Sequence, residues 1–79
     1  MNLYLLTQDE NDGYDTYDSC VVAAKTERSA QRIHPSPYDK SWNAENRVWA
    51  SSPENVKVKR IGTALRKTAG VILTSFNAG

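Results

Sequence analysis

The chain has 79 residues, of which 39% are hydrophobic and 24% are charged, and a formal net charge of +1. This length suits a single domain, residues 1–79, whose core barely offsets the conformational entropy of the chain. No apolar run approaches the roughly 18 residues that span a bilayer, and the start lacks the basic residues of a signal peptide. We therefore expect a cytoplasmic protein, and the single cysteine excludes an internal disulfide.

The first predicted element is a long β-hairpin. Asn2–Thr7 (NLYLLT) predicts its first strand. The pair Asp12-Gly13 predicts a type I′ turn, because both residue types readily take positive φ angles. The second strand ends over Asp18–Ala24, in the apolar run Val21–Ala24. Cys20, just before this run, is expected to be a buried and unreactive thiol.

A short helix follows the hairpin almost directly. Thr26 fits the N-cap, since its hydroxyl can accept a free backbone N–H of the first turn. We predict a helix over roughly Glu27–Ile33, closed by Pro35, because the residue before a proline is disfavoured in the α region. The only histidine, His34, is expected to lie partly exposed at this helix end.

The second half of the chain predicts two more strands. Arg47–Ala50 predicts a short strand or an extended segment that lays Trp49 on the core. Val56–Gly62 alternates between apolar and basic residues, with a break in phase near its end that predicts a bulge or a strand end. Gly70–Phe76 predicts the last strand, and its apolar run indicates burial on both faces. The order ββαββ, with or without the extra short strand, predicts an α+β fold: a small antiparallel sheet with one helix packed on one face.

No pattern in the sequence indicates catalysis or a bound metal. His and Cys occur once each, which leaves no zinc-binding spacing, and the isolated glycines do not form a phosphate-binding loop. An EF-hand is excluded because Ser19 stands at position twelve when Gly13 is set at position six. We therefore expect a non-enzymatic protein with no catalytic residues, metal or cofactor.

Charge is divided along the chain. Residues 1–24 contain five acids and no base, and the acids lie close to two tyrosines that we expect to be half-buried. Such a composition is common in protein interfaces, so the hairpin predicts a docking surface, with a solvated hairpin tip as the alternative. A tryptophan in the following polar loop is a candidate exposed anchor, or else a core residue. The candidate partner-binding residues are Asp12, Tyr14, Asp15, Tyr17 and Trp42.

Residues 55–79 contain five bases and no acid, and the helix adds two arginines. These side chains can follow phosphates, although no aromatic residues for base stacking lie between them. Lysines on an edge strand also protect a sheet against pairing with other chains. The candidate contacts to nucleic acid or to an acidic partner are Arg28, Arg32, Lys57, Lys59, Arg60, Arg66 and Lys67.

Three stretches, LYLLTQDENDGYDTYDSCVVAAKTERSAQRIHP, WASSPENVKVKRIG and GVILTSFNAG, resemble short bacteriophage and prophage proteins of unassigned role. The outline is also similar to a small type I anti-CRISPR protein family, in which a strand just after the first Met, a hairpin and a helix with the pattern S-x-x-A-x-R-I precede further strands. Ser29–Ile33 is a shortened form of that pattern.

This resemblance implies a phage accessory protein that acts by binding in the cytoplasm of a bacterial host. Its partner would be a host protein or a nucleoprotein complex of a defence system. Two alternatives remain open: a small nucleic-acid-binding accessory protein that uses the basic C-terminal half, and a structural component of the virion.

Overall fold

The computed structural model describes residues 1–37, 40, 42 and 48–77. A 3-10 turn at Pro53–Asn55 precedes the third strand. The predicted α+β class and the order ββαββ are confirmed. Of the extra strand predicted at Arg47–Ala50, residue 47 lies outside the described residues and residues 48–50 are not in a strand. The elements are β1 (Asn2–Thr7), β2 (Thr16–Ala24), α1 (Glu27–Gln31), β3 (Lys57–Thr63) and β4 (Gly70–Asn77).

The four strands form one antiparallel sheet in the order β3-β1-β2-β4. The N-terminal hairpin supplies the two central strands, and β3 and β4 flank it on opposite edges. At one end of the sheet, Asn2 lies opposite Thr63 and Gly70 begins β4 beside Ala23. At the other end, Thr7 lies opposite Lys57.

Two loops lie at opposite ends of this sheet. The hairpin loop, residues 8–15, joins β1 to β2. The crossover loop, residues 64–69, joins β3 to β4 and so passes from one edge of the sheet to the other. At its start, the Ala64 N–H donates to the Met1 carbonyl at 2.8 Å. Any interaction that needs both loops would have to reach along the whole sheet.

The core lies on one face of the sheet, between the strands, α1 and the segment 48–50. The largest fully buried side chain is Trp49, which is 0% exposed, as the sequence predicted for this tryptophan. We call this face of the sheet the helix face. The buried residues of this core, from the sheet and from the elements packed on it, are Tyr4, Leu6, Cys20, Val22, Ala24, Ala30, Trp49, Ala50 and Val56.

The helix begins as predicted and ends earlier. The Thr26 hydroxyl accepts the Ser29 N–H at 3.1 Å, which is the expected N-cap contact. The helix ends at Gln31, followed by Arg32 as its C-cap, so it is shorter than the predicted Glu27–Ile33. Ile33 lies beyond the helix and packs partly buried against the core.

The phase break in β3 is a bulge. Arg60 pairs with Tyr4 and Gly62 pairs with Leu3, so Ile61 has no partner on β1. The alternation in the sequence predicted this irregularity, because an extra residue in a strand shifts every later side chain to the other face.

Two predictions of local structure are wrong. β4 is not buried on both faces: it is an edge strand, and Leu73 is 67% exposed. The type I′ turn at Asp12-Gly13 is absent, and the hairpin-loop residue with positive φ is Asp15, at 58°. The hairpin loop is longer than such a turn allows, and aspartate is one of the few residue types that tolerate this conformation well.

The burial of Cys20 in the core can be tested through the pH dependence of the free energy of unfolding. It is 2% exposed, and burial raises the pKa of its thiol from the ordinary 9.0 to about 12. Above the ordinary value the unfolded chain releases this proton while the folded chain keeps it. The stabilisation is therefore complete below pH 9.0 and is lost as the pH rises towards about 12, by up to about 1.4 kcal/mol per pH unit.

Urea unfolding at a series of pH values should show this decline in the free energy of unfolding. Lysine and tyrosine side chains ionise in the same range, so the comparison is with Cys20→Ala, whose decline should be shallower. Equal slopes in the two proteins would contradict the assignment of the decline to Cys20.

Candidate functional site

One buried side chain organises the hairpin loop. Gln8 is 8% exposed, and its amide nitrogen donates to the carbonyls of Asn11 at 2.6 Å and Tyr17 at 2.9 Å. Its amide oxygen accepts the N–H groups of Glu10 at 3.0 Å and Asn11 at 2.8 Å. These bonds replace the regular turn that the sequence predicted. Sequence analysis did not identify Gln8, since a single glutamine after a strand carries no distinctive signal.

Contacts to two distant segments also fix the hairpin loop. The Glu10 carboxylate accepts the Ser51 N–H at 2.6 Å and the Ser51 hydroxyl at 3.0 Å. The Asn77 side chain donates to the Gly13 carbonyl at 3.2 Å, and the Asp15 N–H donates to the Asn77 carbonyl. The loop is therefore held from both sides of the sheet end, so its conformation is largely set before any partner arrives.

The tip of this loop presents three exposed side chains, which we call the acidic tip: Asp12, Tyr14 and Asp15. Tyr14 is 76% exposed, so the prediction of a half-buried ring is wrong for this residue. The long loop carries the ring beyond the end of the sheet, where nothing described covers it. An exposed tyrosine with two aspartates nearby in the same loop is suited to anchor in a pocket whose rim is basic.

The other two candidate partner-binding residues pack into the fold. Tyr17 is half-buried as predicted, and its ring lies 4.7 Å from that of Phe76, measured between centroids. Trp42 is half-buried against the core, with its ring centroid 5.2 Å from that of His34 in an edge-to-face arrangement. Both rings thus contribute to the packing, and neither stands at the tip.

His34 is buried, at 7% exposed, so the predicted partly exposed position is wrong. Its Nδ1 accepts the Ser36 N–H at 3.1 Å. The ring is enclosed because the chain after the helix folds back against the core and places Trp42 on it. Within the described parts of the chain, no group of three or more His, Cys, Asp or Glu side chains could hold a metal ion.

The basic residues of β3 point to both faces of the sheet. Lys57 and Lys59 pair with residues whose side chains lie opposite to the helix face, whereas Arg60 pairs with Tyr4 on the helix face. The Lys57 ammonium lies 2.7 Å from the Asp9 carboxylate. The hydrogen bond from Lys57, followed by its charge, lowers the pKa of the Asp9 carboxyl. Lys57 thus forms an ion pair within the protein, and as a lysine on an edge strand it disfavours pairing of β3 with another chain.

The two helix arginines lie in a different place. Arg28 and Arg32 line a groove of about 640 Å³ beside α1 and the start of β3. Glu27 and Glu54 line the same groove, and their charges offset those of the arginines. The groove is therefore mixed in charge, unlike a surface built to follow a phosphate backbone.

The last two candidate bases, Arg66 and Lys67, lie in the crossover loop. The Arg66 guanidinium donates to the Thr68 carbonyl at 3.0 Å, whereas Lys67 is exposed. This end of the sheet is roughly 20 Å from the hairpin loop, at about 3.3 Å per residue along a strand. Because that exceeds the Debye length of about 8 Å at physiological salt, the two ends act as separate surfaces. The charge division of the sequence is thus kept only in part: Arg66 and Lys67 lie far from the hairpin loop, whereas Lys57 pairs with Asp9 of that loop.

No protein-family model, curated protein or solved structure matches the chain. The fold and the site define a class: a small α+β domain that presents an acidic, tyrosine-bearing loop at one end of its sheet. In the residues that the structure describes, no helix is long and apolar enough to cross a membrane.

Proposed function

We propose that this protein is a non-enzymatic, phage-encoded accessory protein that inhibits a bacterial defence system, in the manner of an anti-CRISPR protein, by binding a host nucleoprotein complex. The acidic tip is the observation that supports this proposal. It combines two carboxylates and an exposed aromatic ring on a loop that is fixed by the buried Gln8.

The chemistry of the expected partner fits the tip. A protein surface that holds nucleic acid is basic, because it has to neutralise phosphates. Asp12 and Asp15 can occupy such a surface in place of phosphates, while Tyr14 supplies the buried contact that dominates many interfaces. The loop is already ordered, so little conformational entropy is lost on binding.

The test uses a purified type I CRISPR surveillance complex and phage plating on a strain that carries it. The wild-type protein should bind the complex and restore plaque formation. The triple variant Asp12→Asn/Tyr14→Ala/Asp15→Asn should bind at least about 30-fold more weakly, the effect of losing one hot-spot residue of about 2 kcal/mol. Asparagine is chosen at position 15 because it tolerates the positive φ of 58° found there.

The matched control is Lys25→Glu, which reverses an exposed charge just after β2, at the other end of the sheet. It should bind and inhibit like the wild type. A tip variant that stays folded and inhibits as well as the wild type would contradict the proposal, as would wild-type protein that binds no such complex.

Nucleic-acid binding has less support as the function, because the candidate basic residues are divided among β3, the helix groove and the crossover loop. A gel shift of DNA or RNA that weakens steeply with salt, and is lost in Lys59→Glu/Arg60→Glu, would favour it over the binding of a protein surface.

A further inference from the structure

The two edges of the sheet differ in charge. The β3 edge carries three bases, whereas β4, Gly70–Asn77, contains no ionisable side chain. Charged edge strands resist pairing with another strand, and neutral apolar ones are templates for it. Among the described residues, no strand pairs with the outer edge of β4. Its exposed apolar side chains, at 45%, 67% and 44%, are Ile72, Leu73 and Phe76.

We propose that the β4 edge binds a second copy of this chain, so that two β4 strands pair antiparallel about a two-fold axis. This pairing would satisfy the outward-facing N–H and C=O groups of β4 in both copies. β4 itself has no ionisable residue, but the Arg66 guanidinium donates to the Val71 carbonyl at 3.4 Å and so lies at the start of the strand. Antiparallel pairing of start against end places the two Arg66 side chains at opposite ends and keeps these like charges apart. The same self-pairing at the β3 edge would bring lysines together, which is destabilising.

Charge complementarity also favours a second copy as the occupant. Antiparallel pairing places the start of β4 in one copy beside the end of β4 in the other. The start of β4 follows the crossover loop with its exposed Lys67. The end of β4 lies against Asp15 of the hairpin loop and near Asp18, the residue of β2 that has no partner on β4. By symmetry, each copy therefore brings a basic loop towards acids of the other copy, at two places.

The resulting dimer is a closed assembly, which does not grow further through the same contact. Its sheet would have the strand order β3-β1-β2-β4 followed by the same order reversed, so both outer edges would be the lysine-bearing β3 strands. These edges resist further pairing, and association stops at the dimer. The inference does not depend on the proposed function, since it rests on the β4 edge and on the charged residues at the two ends of this strand.

Sedimentation velocity of the full chain, over a wide range of concentrations, tests this directly. We expect a species of twice the 8.8 kDa chain mass that forms more readily as the concentration rises and less readily at high salt. Leu73→Lys should weaken dimerisation by about tenfold or more, because it places a charge on the paired strand. The matched control, Ile61→Lys, adds the same charge at a 48% exposed position of β3 and should dimerise like the wild type.

Three results would overturn the proposal: a monomer at every concentration, assemblies larger than a dimer, or a folded Leu73→Lys that dimerises like the wild type. Circular dichroism shows whether this variant is folded. If it is not, hydrogen exchange of the unmodified chain decides. Slower exchange of β4 amides at higher concentration supports pairing through this edge, and unchanged exchange contradicts it.

Discussion

The Trp49→Ala variant is expected to lose about 3–5 kcal/mol of its free energy of unfolding. Trp49 is the largest fully buried side chain, at 0% exposed, and it packs against the buried residues of the helix face. A domain of this length has a total stability of roughly 4–12 kcal/mol, at about 0.05–0.15 kcal/mol per residue. The substitution therefore removes a large part of the stability, and urea unfolding followed by circular dichroism measures it.

Two further variants make this test specific. Leu65→Ala changes a 100% exposed side chain and should stay within about 0.5 kcal/mol of the wild type. Trp49→Phe should lose clearly less than Trp49→Ala, because the Trp49 indole N–H has no hydrogen-bond partner among the described residues. A loss in Trp49→Phe equal to that in Trp49→Ala would show that the indole N–H, rather than the volume of the ring, provides the stability.

The Gln8→Ala variant is expected to lose about 2–3 kcal/mol, since typical hydrogen bonds contribute about 0.5–1.5 kcal/mol each and Gln8 makes bonds to Glu10, Asn11 and Tyr17. Gln31→Ala is the matched control. Gln31 makes one such bond, to the Val56 carbonyl at 3.1 Å, and its removal should cost about 1 kcal/mol. Urea unfolding compares the two variants.

The Gln8→Ala variant also distinguishes the effect of the loop's fixed conformation on partner binding from the effect of the side chains that the loop carries. The variant keeps every side chain of the acidic tip, so any loss of partner binding would come from the order that Gln8 imposes. Hydrogen exchange at the amides of Glu10 and Asn11 should become faster in this variant. Exchange and stability equal to those of the Gln31→Ala variant would contradict the organising role of Gln8.

Local patterns predicted most of the secondary structure. β1 has the predicted bounds, Thr26 caps the helix, and the bulge at Ile61 lies where the alternation breaks. Each of these depends on residues that are neighbours in the sequence. The burial of β4 could not be predicted in this way, because an apolar run suits a central strand, and only the strand order places β4 at an edge.

The candidate site was predicted only in part, because the sequence indicates which residues it contains but not the conformation of their loop. Asp12, Tyr14 and Asp15 were identified from the composition of the hairpin. The conformation of their loop was not, because it depends on Gln8 and on contacts from the distant Ser51 and Asn77. The separation of Arg66 and Lys67 from this tip follows from the crossover loop, whose path depends on strand pairing across the whole chain.

The strand order has a consequence for how fast the protein folds. β1 and β2 are neighbours in the chain, joined only by the hairpin loop, residues 8–15, and can pair on the microsecond timescale of hairpins. Neither outer strand pairs with the other, and Asn2 meets Thr63 from the far part of the chain. Long stretches of chain must be closed before these contacts form, which slows small β-rich domains to milliseconds or longer. During that interval the early hairpin has two open edges, so the period before β3 and β4 dock is when the chain is most prone to aggregate.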